Sequence, residues 1–549
     1  MVRQFDTHEV VNQVPPLEDY DVFASDSALS EAIDREGAGW ARPELTVLGG
    51  LAGTGGAQEL GRLANEHRPV LRTHDRYGHR IDVVEYHPAY HDLMRTSLNH
   101  GLHAGPWADP RPGAHVARAA KVIVWYQVDA GHICPVSMTY AIVPALRHQP
   151  DVASTWEPMI CSSTYDPADL PPSAKAGVTC GMALTEKQGG SDVRANTTRA
   201  EPDGEASGSA FRLTGHKWFC SAPMSDAYLM LAQAPGGLSC FLVPRWGPDG
   251  TRNPIRIQRL KEKLGDRSNA SSEIELADVW GRLIGEEGRG VHTIIEMVNH
   301  TRLDCILGST SIMRQGVAQA TWHAAHRAAF GKLLATQPLM ANVLADLAVE
   351  AEAATVSALR LARAFDAGPG DEHELLLQRL LTPVVKYWAC KRAPVHAAES
   401  LECLGGNGFV EESNMPRLFR QSPVNGVWEG SGNVICLDVL RALAREPATL
   451  DAFWSEVGLA DGGDARLARA IDDLHADLKD QATLETRARS LVERMALVFQ
   501  SSLLVRFAPE AVADAFCGSR LGGGTAAGTF GTLPVGTDTT SILERHTPA

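Results

Sequence analysis

No apolar run in this 549-residue chain approaches the roughly 20 residues a membrane helix needs, so a bilayer-spanning protein is not expected. The first residues carry Asp6 and Glu9 and no apolar core segment, which does not read as a secretion signal and makes the cytoplasm the expected location. Cysteine forms no motif. The ten cysteines stand singly, without the paired spacing of a zinc site or a redox couple, and read as reduced, mostly buried thiols. His323 and His326 lie three apart on a helical stretch with no third ligand in view, so no metal is expected. Positive charge is in deficit: 51 Lys and Arg against 66 Asp and Glu leave −15, which argues against general affinity for polyanions such as DNA.

What is present is ordinary globular material, 44% hydrophobic and 21% charged, in a chain too long for one core. Residues 1–40, with Val14-Pro15-Pro16, read as an extended arm that docks on another part of the chain. From 41 to 180 apolar residues recur at three- and four-residue spacing, a helical domain. The glycine run 49–56 has no preceding strand and no acidic partner at dinucleotide-site distance, and reads as a flexible loop before a helix. Between 181 and 288 short apolar segments bounded by Gly, Pro and Asp indicate a β domain. Helical spacing returns over 289–445 as a bundle, and continues over 446–549 as an extra helical domain ending in Gly522-Gly523-Gly524 and a tail expected to be mobile. The fold class is therefore α+β, mainly helical. Residues 450–549 hold nine Lys and Arg against fourteen Asp and Glu, with Arg466, Arg469, Arg487, Arg489 and Arg494 free to gather on one surface.

Three segments carry chemistry: 184–192 (Leu-Thr-Glu-Lys-Gln-Gly-Gly-Ser-Asp), 215–221 (Gly-His-Lys-Trp-Phe-Cys-Ser) and 427–433 (Val-Trp-Glu-Gly-Ser-Gly-Asn). Glycines without side chains let main chain approach a ring edge or a phosphate, hydroxyls supply hydrogen bonds, and Trp covers an aromatic face. In their order, these segments resemble the acyl-CoA dehydrogenase family of flavoproteins over about residues 50–445. Residues 12–16, 34–40, 134–139 and 185–192, with the extra C-terminal segment, are similar to its AidB branch, the bacterial alkylation-response flavoproteins.

The resemblance implies a helical domain, a β domain and a helical bundle, with FAD as cofactor. It implies that Met182, Leu184, Thr185, Gly190 and Ser191 run along the flavin ring, with Trp218, Phe219 and Ser221 beside it and Trp428, Gly430, Ser431 and Asn433 completing that end. Arg327, Phe330 and Gln337 are implied at the pyrophosphate, and Leu404, Gly405 and Gly406 at the adenosine end, both reaching the FAD of a neighbouring subunit in a homotetramer. Glu429 aligns with the family's base, which removes the α-proton of a thioester while a β-hydride leaves. Some relatives carry the base on the first bundle helix, but 299–303 here (Asn-His-Thr-Arg-Leu) has no carboxylate. The implied partner is an acyl-CoA. The alternative is a DNA-associated protective flavoprotein with weak or vestigial dehydrogenation, against which the overall charge counts.

Overall fold

The computed structural model describes residues 7–204, 209–368, 370–521 and 528–548; Gly522 to Gly524 lie outside them. The chain divides into two compact units: residues 56–305 with 427–434, and residues 1–55, 306–426 and 435–549.

In the first unit, the helices Ala114–Tyr126 and Ile133–Leu146 are buried along almost their whole length, the first of them burying even His115, Arg118 and Lys121. The helix Ile133–Leu146 shares one core with strands β3 (Cys180–Ala183), β6 (Ala227–Ala234) and β7 (Gly237–Pro244). The strands β4 (Arg199–Pro202), β5 (Ala210–Ser221) and β9 (Ser271–Ile284) complete a ring in the order β6-β4-β5-β9-β7 and back to β6; β3 adds to β6 and β8 (Ile255–Leu260) to β9. Closure removes free edges on most of the ring. One hairpin, β1 (Val70–His74) with β2 (Arg80–Glu85), interrupts a stretch that reads as helical.

The second unit is a helical bundle around Pro338–Phe365, Glu372–Cys403 and Leu484–Phe507. Buried ion networks join the C-terminal segment to it. Arg360 is bidentate to Glu374 at 2.8 and 2.9 Å and also reaches Glu456 at 2.7 Å; Arg520 holds Asp346 and Glu350. Instead of the mobile tail expected over the last residues, Thr539–His546 is a helix whose Arg545 pairs with Glu31 and Glu352, and whose His546 Nε2 lies 2.8 Å from Glu352.

The glycine run is a correction as well. Gly49 and Gly50 lie inside the helix Arg42–Ala52, and a Cβ at Gly49 or Gly53 would collide with residues 20–23 of the arm. Asp19 N–H donates to Gly53 O and Val22 N–H to Gly49 O. The glycines permit close backbone packing of the arm rather than flexibility.

Candidate active site

Residues 184–192 leave β3 and lie along β5. Trp218 N–H donates to Thr185 O at 2.8 Å, and Lys187 N–H donates to His216 Nε2 at 2.9 Å. A Cβ at Gly190 would collide with the Thr185 side chain, so only glycine fits there. The anchor beneath the loop is Glu186, fully buried with Lys217: Lys217 Nζ donates to it at 2.8 Å, Thr198 Oγ1 at 2.6 Å, and Thr197 through both N–H and hydroxyl. Burial opposes ionisation, yet these donors hold the Glu186 carboxyl far below the usual carboxylate range. In sequence Lys217 reads as one more polar residue of a strand, and nothing nearby marks it as the partner of Glu186.

Trp218 is half-buried, with Lys261 Nζ 3.5 Å from its ring centroid, and Phe219 is half-exposed. Ser221 closes β5, 3.2 Å from Ser271 Oγ, near the buried Cys134 thiol. Burial pushes that thiol up to about 12, and the charge of Glu429 acts in the same direction. Met182, Leu184 and Trp428 all pack against the core cluster that contains Cys134, Met138 and Tyr140.

Glu429 is half-buried and sits in left-handed backbone, φ +58°, followed by Gly430 at +107°. A non-glycine residue there costs about 1–3 kcal/mol and persists where the surroundings over-determine it. Buried Arg302 contributes, donating from Nε to Glu429 O at 3.1 Å. The stretch that lacks a competing carboxylate thus supports Glu429 instead.

Behind this cluster lies a polar aromatic group the sequence did not signal. Tyr140 OH is 2.6 Å from His115 Nδ1, Trp107 Nε1 donates to Tyr140 O, and Arg118 lies over the Tyr140 ring while bidentate to Asp304 at 2.6 and 2.7 Å. Burial holds His115 well below the usual histidine range and His300 down to about 4, so both are neutral at pH 7.

Asp266 is also left-handed (φ +50°) and buried, with neither carboxylate oxygen hydrogen-bonded; burial lifts it to about 7, against the pull of Lys263. A carboxyl raised in the folded state loses stability as pH rises from the unfolded value of about 3.9 towards 7. Asp266→Asn is therefore expected to raise the melting temperature more at pH 8 than at pH 5; equal shifts at both would refute the assignment.

The other candidates lie in the second unit. Arg327 opens a short hairpin, Ala328–Ala329 with Lys332–Leu333, that has the exposed Phe330 at its tip; Gln337 Nε2 donates to Ala329 O at 3.1 Å. The N-terminal arm docks here: Arg327 donates to Asn12 O, and the Asn12 side chain bonds both Ala328 O (2.8 Å) and Ala328 N–H (2.9 Å). Leu404 is buried, Gly405 has φ +59°, and Gly406 opens a short exposed turn. Ser191, Ser431 and Asn433 are exposed.

These residues suit FAD. The half-buried Thr185 hydroxyl has no hydrogen-bond partner among the described residues, Gly190 leaves the main chain bare, and Arg327 offers a guanidinium fork of the kind that grips a pyrophosphate. Among the described residues no cluster of His, Cys, Asp or Glu could hold a metal, and no helix is long and apolar enough to cross a membrane.

Comparison with known proteins agrees with this architecture. Residues 12–167 match the adaptive response protein AidB N-terminal domain, 181–279 the acyl-CoA dehydrogenase middle domain, and 288–444 the acyl-CoA dehydrogenase C-terminal domain. AidB of Escherichia coli strain K12 is 45% identical over 93% of this chain and 94% of its own. Acyl-CoA dehydrogenase family member 11 of Caenorhabditis elegans is 30% identical over 83% of this chain and 79% of its own. The crystal structure of Caenorhabditis elegans ACDH-11 in complex with C11-CoA superimposes with a TM-score of 0.84 at 26% identity, covering 94% of each chain. The chain belongs to the acyl-CoA dehydrogenase family, in its AidB branch.

Proposed function

We propose that this protein is an FAD-dependent oxidoreductase that desaturates an acyl-CoA thioester between its α and β carbons, with Glu429 as the base. The observation that carries the reading is the setting of Glu429: a half-buried carboxylate in left-handed backbone, clamped at its carbonyl by Arg302, next to a Trp428 that packs with Met182 and Leu184 on one core. Bound FAD supplies the acceptor for the β-hydride. Glu429 takes the α-proton on a carboxylate oxygen, and Trp428, Met182 and Leu184 keep water from the reacting carbons. Thr185, Ser191 and the main chain of Gly190 hold the ring edge, with Trp218, Phe219 and Ser221 on the β5 side and Gly430, Ser431 and Asn433 beyond the base. Arg327, Phe330, Gln337, Leu404, Gly405 and Gly406 serve the pyrophosphate and adenosine end of the FAD of a neighbouring subunit.

Anaerobic titration of the purified flavoprotein with C11-CoA and with shorter and branched esters tests this. Bleaching of the flavin band by one of them is expected; a bound flavin that none reduces would overturn the reading. Arg327→Ala is expected to weaken FAD retention roughly 10- to 100-fold, the worth of a charge-assisted bond of about 1.5–3 kcal/mol. Asn12→Ala, which removes the two side-chain bonds to Ala328 and leaves Arg327 on the backbone carbonyl of residue 12, should weaken it less. Full flavin occupancy after dialysis of both variants would remove these roles.

Assembly into a homotetramer belongs to the same reading, with the exposed Phe330 and Phe409, at 98% and 78%, as candidate contact residues; a monomeric mass in light scattering would contradict it. The DNA-associated alternative draws less support from the C-terminal arginines than their number implies, since three of the five are ion-paired: Arg466 with Asp464 and Asp514, Arg487 with Asp477 and Asp480, and Arg494 with Asp477.

A further inference from the structure

A cleft of about 260 Å³ opens where β2, β8 and the loop before β8 meet, and four of its lining residues are arginines: Arg80, Arg245, Arg252 and Arg256. In a chain of net charge −15 such a concentration is unexpected. Two carboxylates answer it: Asp82 takes Arg80 Nε at 2.7 Å, and Asp169 pairs with Arg245 and Arg252. Two positive charges are left in excess. Arg256 makes no ion pair among the described residues, its cross-strand neighbour Glu275 included. Arg80 and Arg252 are further oriented by donating to Ile257 O and Ile81 O, both at 2.8 Å, so their guanidinium planes are set before any ligand arrives.

Asp82 supplies the second, independent observation. Strand β2 bulges here, since Arg72 pairs with Val83 but His74 with Arg80, and Asp82 takes a left-handed φ of +44°. Bulges of this kind re-aim a side chain. The Asp82 side chain is buried on the cleft wall, and its Oδ1 has no hydrogen-bond partner. A buried carboxylate oxygen lacking a donor costs stability, and the donor it lacks is an N–H or O–H.

We propose that this cleft binds a phosphorylated sugar or nucleotide: the phosphate meets the forks of Arg256, Arg80 and Arg252, and a hydroxyl or amino group of the same molecule donates to Asp82 Oδ1. Arginine forks match phosphate geometry bidentately. The acceptor at Asp82 selects against a bare anion, which has no donor to offer it. None of these residues belongs to the set proposed for FAD or for proton abstraction, so this site and that function stand or fall separately.

The test uses the full-length, FAD-saturated protein, so that a nucleotide cannot report on the flavin site. Affinities for inorganic phosphate, ribose 5-phosphate and AMP are measured by calorimetry. AMP, ribose 5-phosphate or both are expected to bind at least tenfold more tightly than inorganic phosphate; equal affinity of the two assigns the donor to a sugar hydroxyl, and tighter AMP assigns it to the base. Arg256→Ala, at an exposed position, should weaken every ligand at least tenfold. Asp82→Asn, which tolerates the left-handed backbone, should abolish the advantage over inorganic phosphate and leave phosphate binding itself in place. No binding by any of the three at millimolar concentration, or affinities unchanged in both variants, would overturn the proposal.

Discussion

Glu429→Gln is expected to keep its flavin and its assembly while losing substrate-driven bleaching by roughly 10²–10⁴-fold, the usual contribution of a positioned general base. The amide fills the same volume but takes up no proton. Its backbone should stay where it is, because Arg302 bonds the carbonyl of residue 429, which the substitution leaves in place, and Gly430 still permits the turn. Stopped-flow measurement of flavin reduction under anaerobic conditions, with an ester that reduces the parent protein, gives the ratio directly. A rate within threefold of the parent would remove Glu429 as the base.

Lys217→Met is expected to destabilise the protein by about 3–5 kcal/mol, because it leaves the Glu186 carboxylate buried without its cation. Thr197 and Thr198 still donate to Glu186, which limits the loss. The paired change Glu186→Gln with Lys217→Met should recover much of it, since replacing both partners avoids the orphaned charge. The single variant should also lose flavin, because Glu186 lies between Thr185 and the glycines of the 184–192 loop and holds that loop to β5. Denaturant titration followed by flavin fluorescence reads both effects. The acid side has a definite sign: Glu186 lies below its unfolded value of about 4.3, so its contribution is full above that pH and is lost only on strong acidification. A single variant as stable as the parent would mean that the ion pair anchors nothing.

Much of this architecture was legible from local pattern. Helical spacing marks Pro338–Phe365 and Glu372–Cys403, and short apolar segments between Gly, Pro and Asp mark β6 and β7, because each of these elements buries one continuous apolar surface against its neighbours. The β1–β2 hairpin was not legible: its strands are five and six residues long, half exposed, and interrupted by charged residues. The glycines at 49 and 53 misled for a different reason, since a glycine needed for close packing and one needed for flexibility are written identically.

By itself the sequence determined the order of helical, β and helical segments from the period of its apolar residues, and the family through the resemblance carried by residues 184–192, 215–221 and 427–433, which also named the candidate site residues. The tertiary structure alone decided which distant residues serve them: Arg302 at the carbonyl of Glu429, Lys217 beneath the 184–192 loop, Asn12 against Arg327 across 315 residues, and Asp82 turned into an arginine cleft. Hydrogen bonds and ion pairs act over about 3 Å of space whatever the separation along the chain, and no periodicity records them.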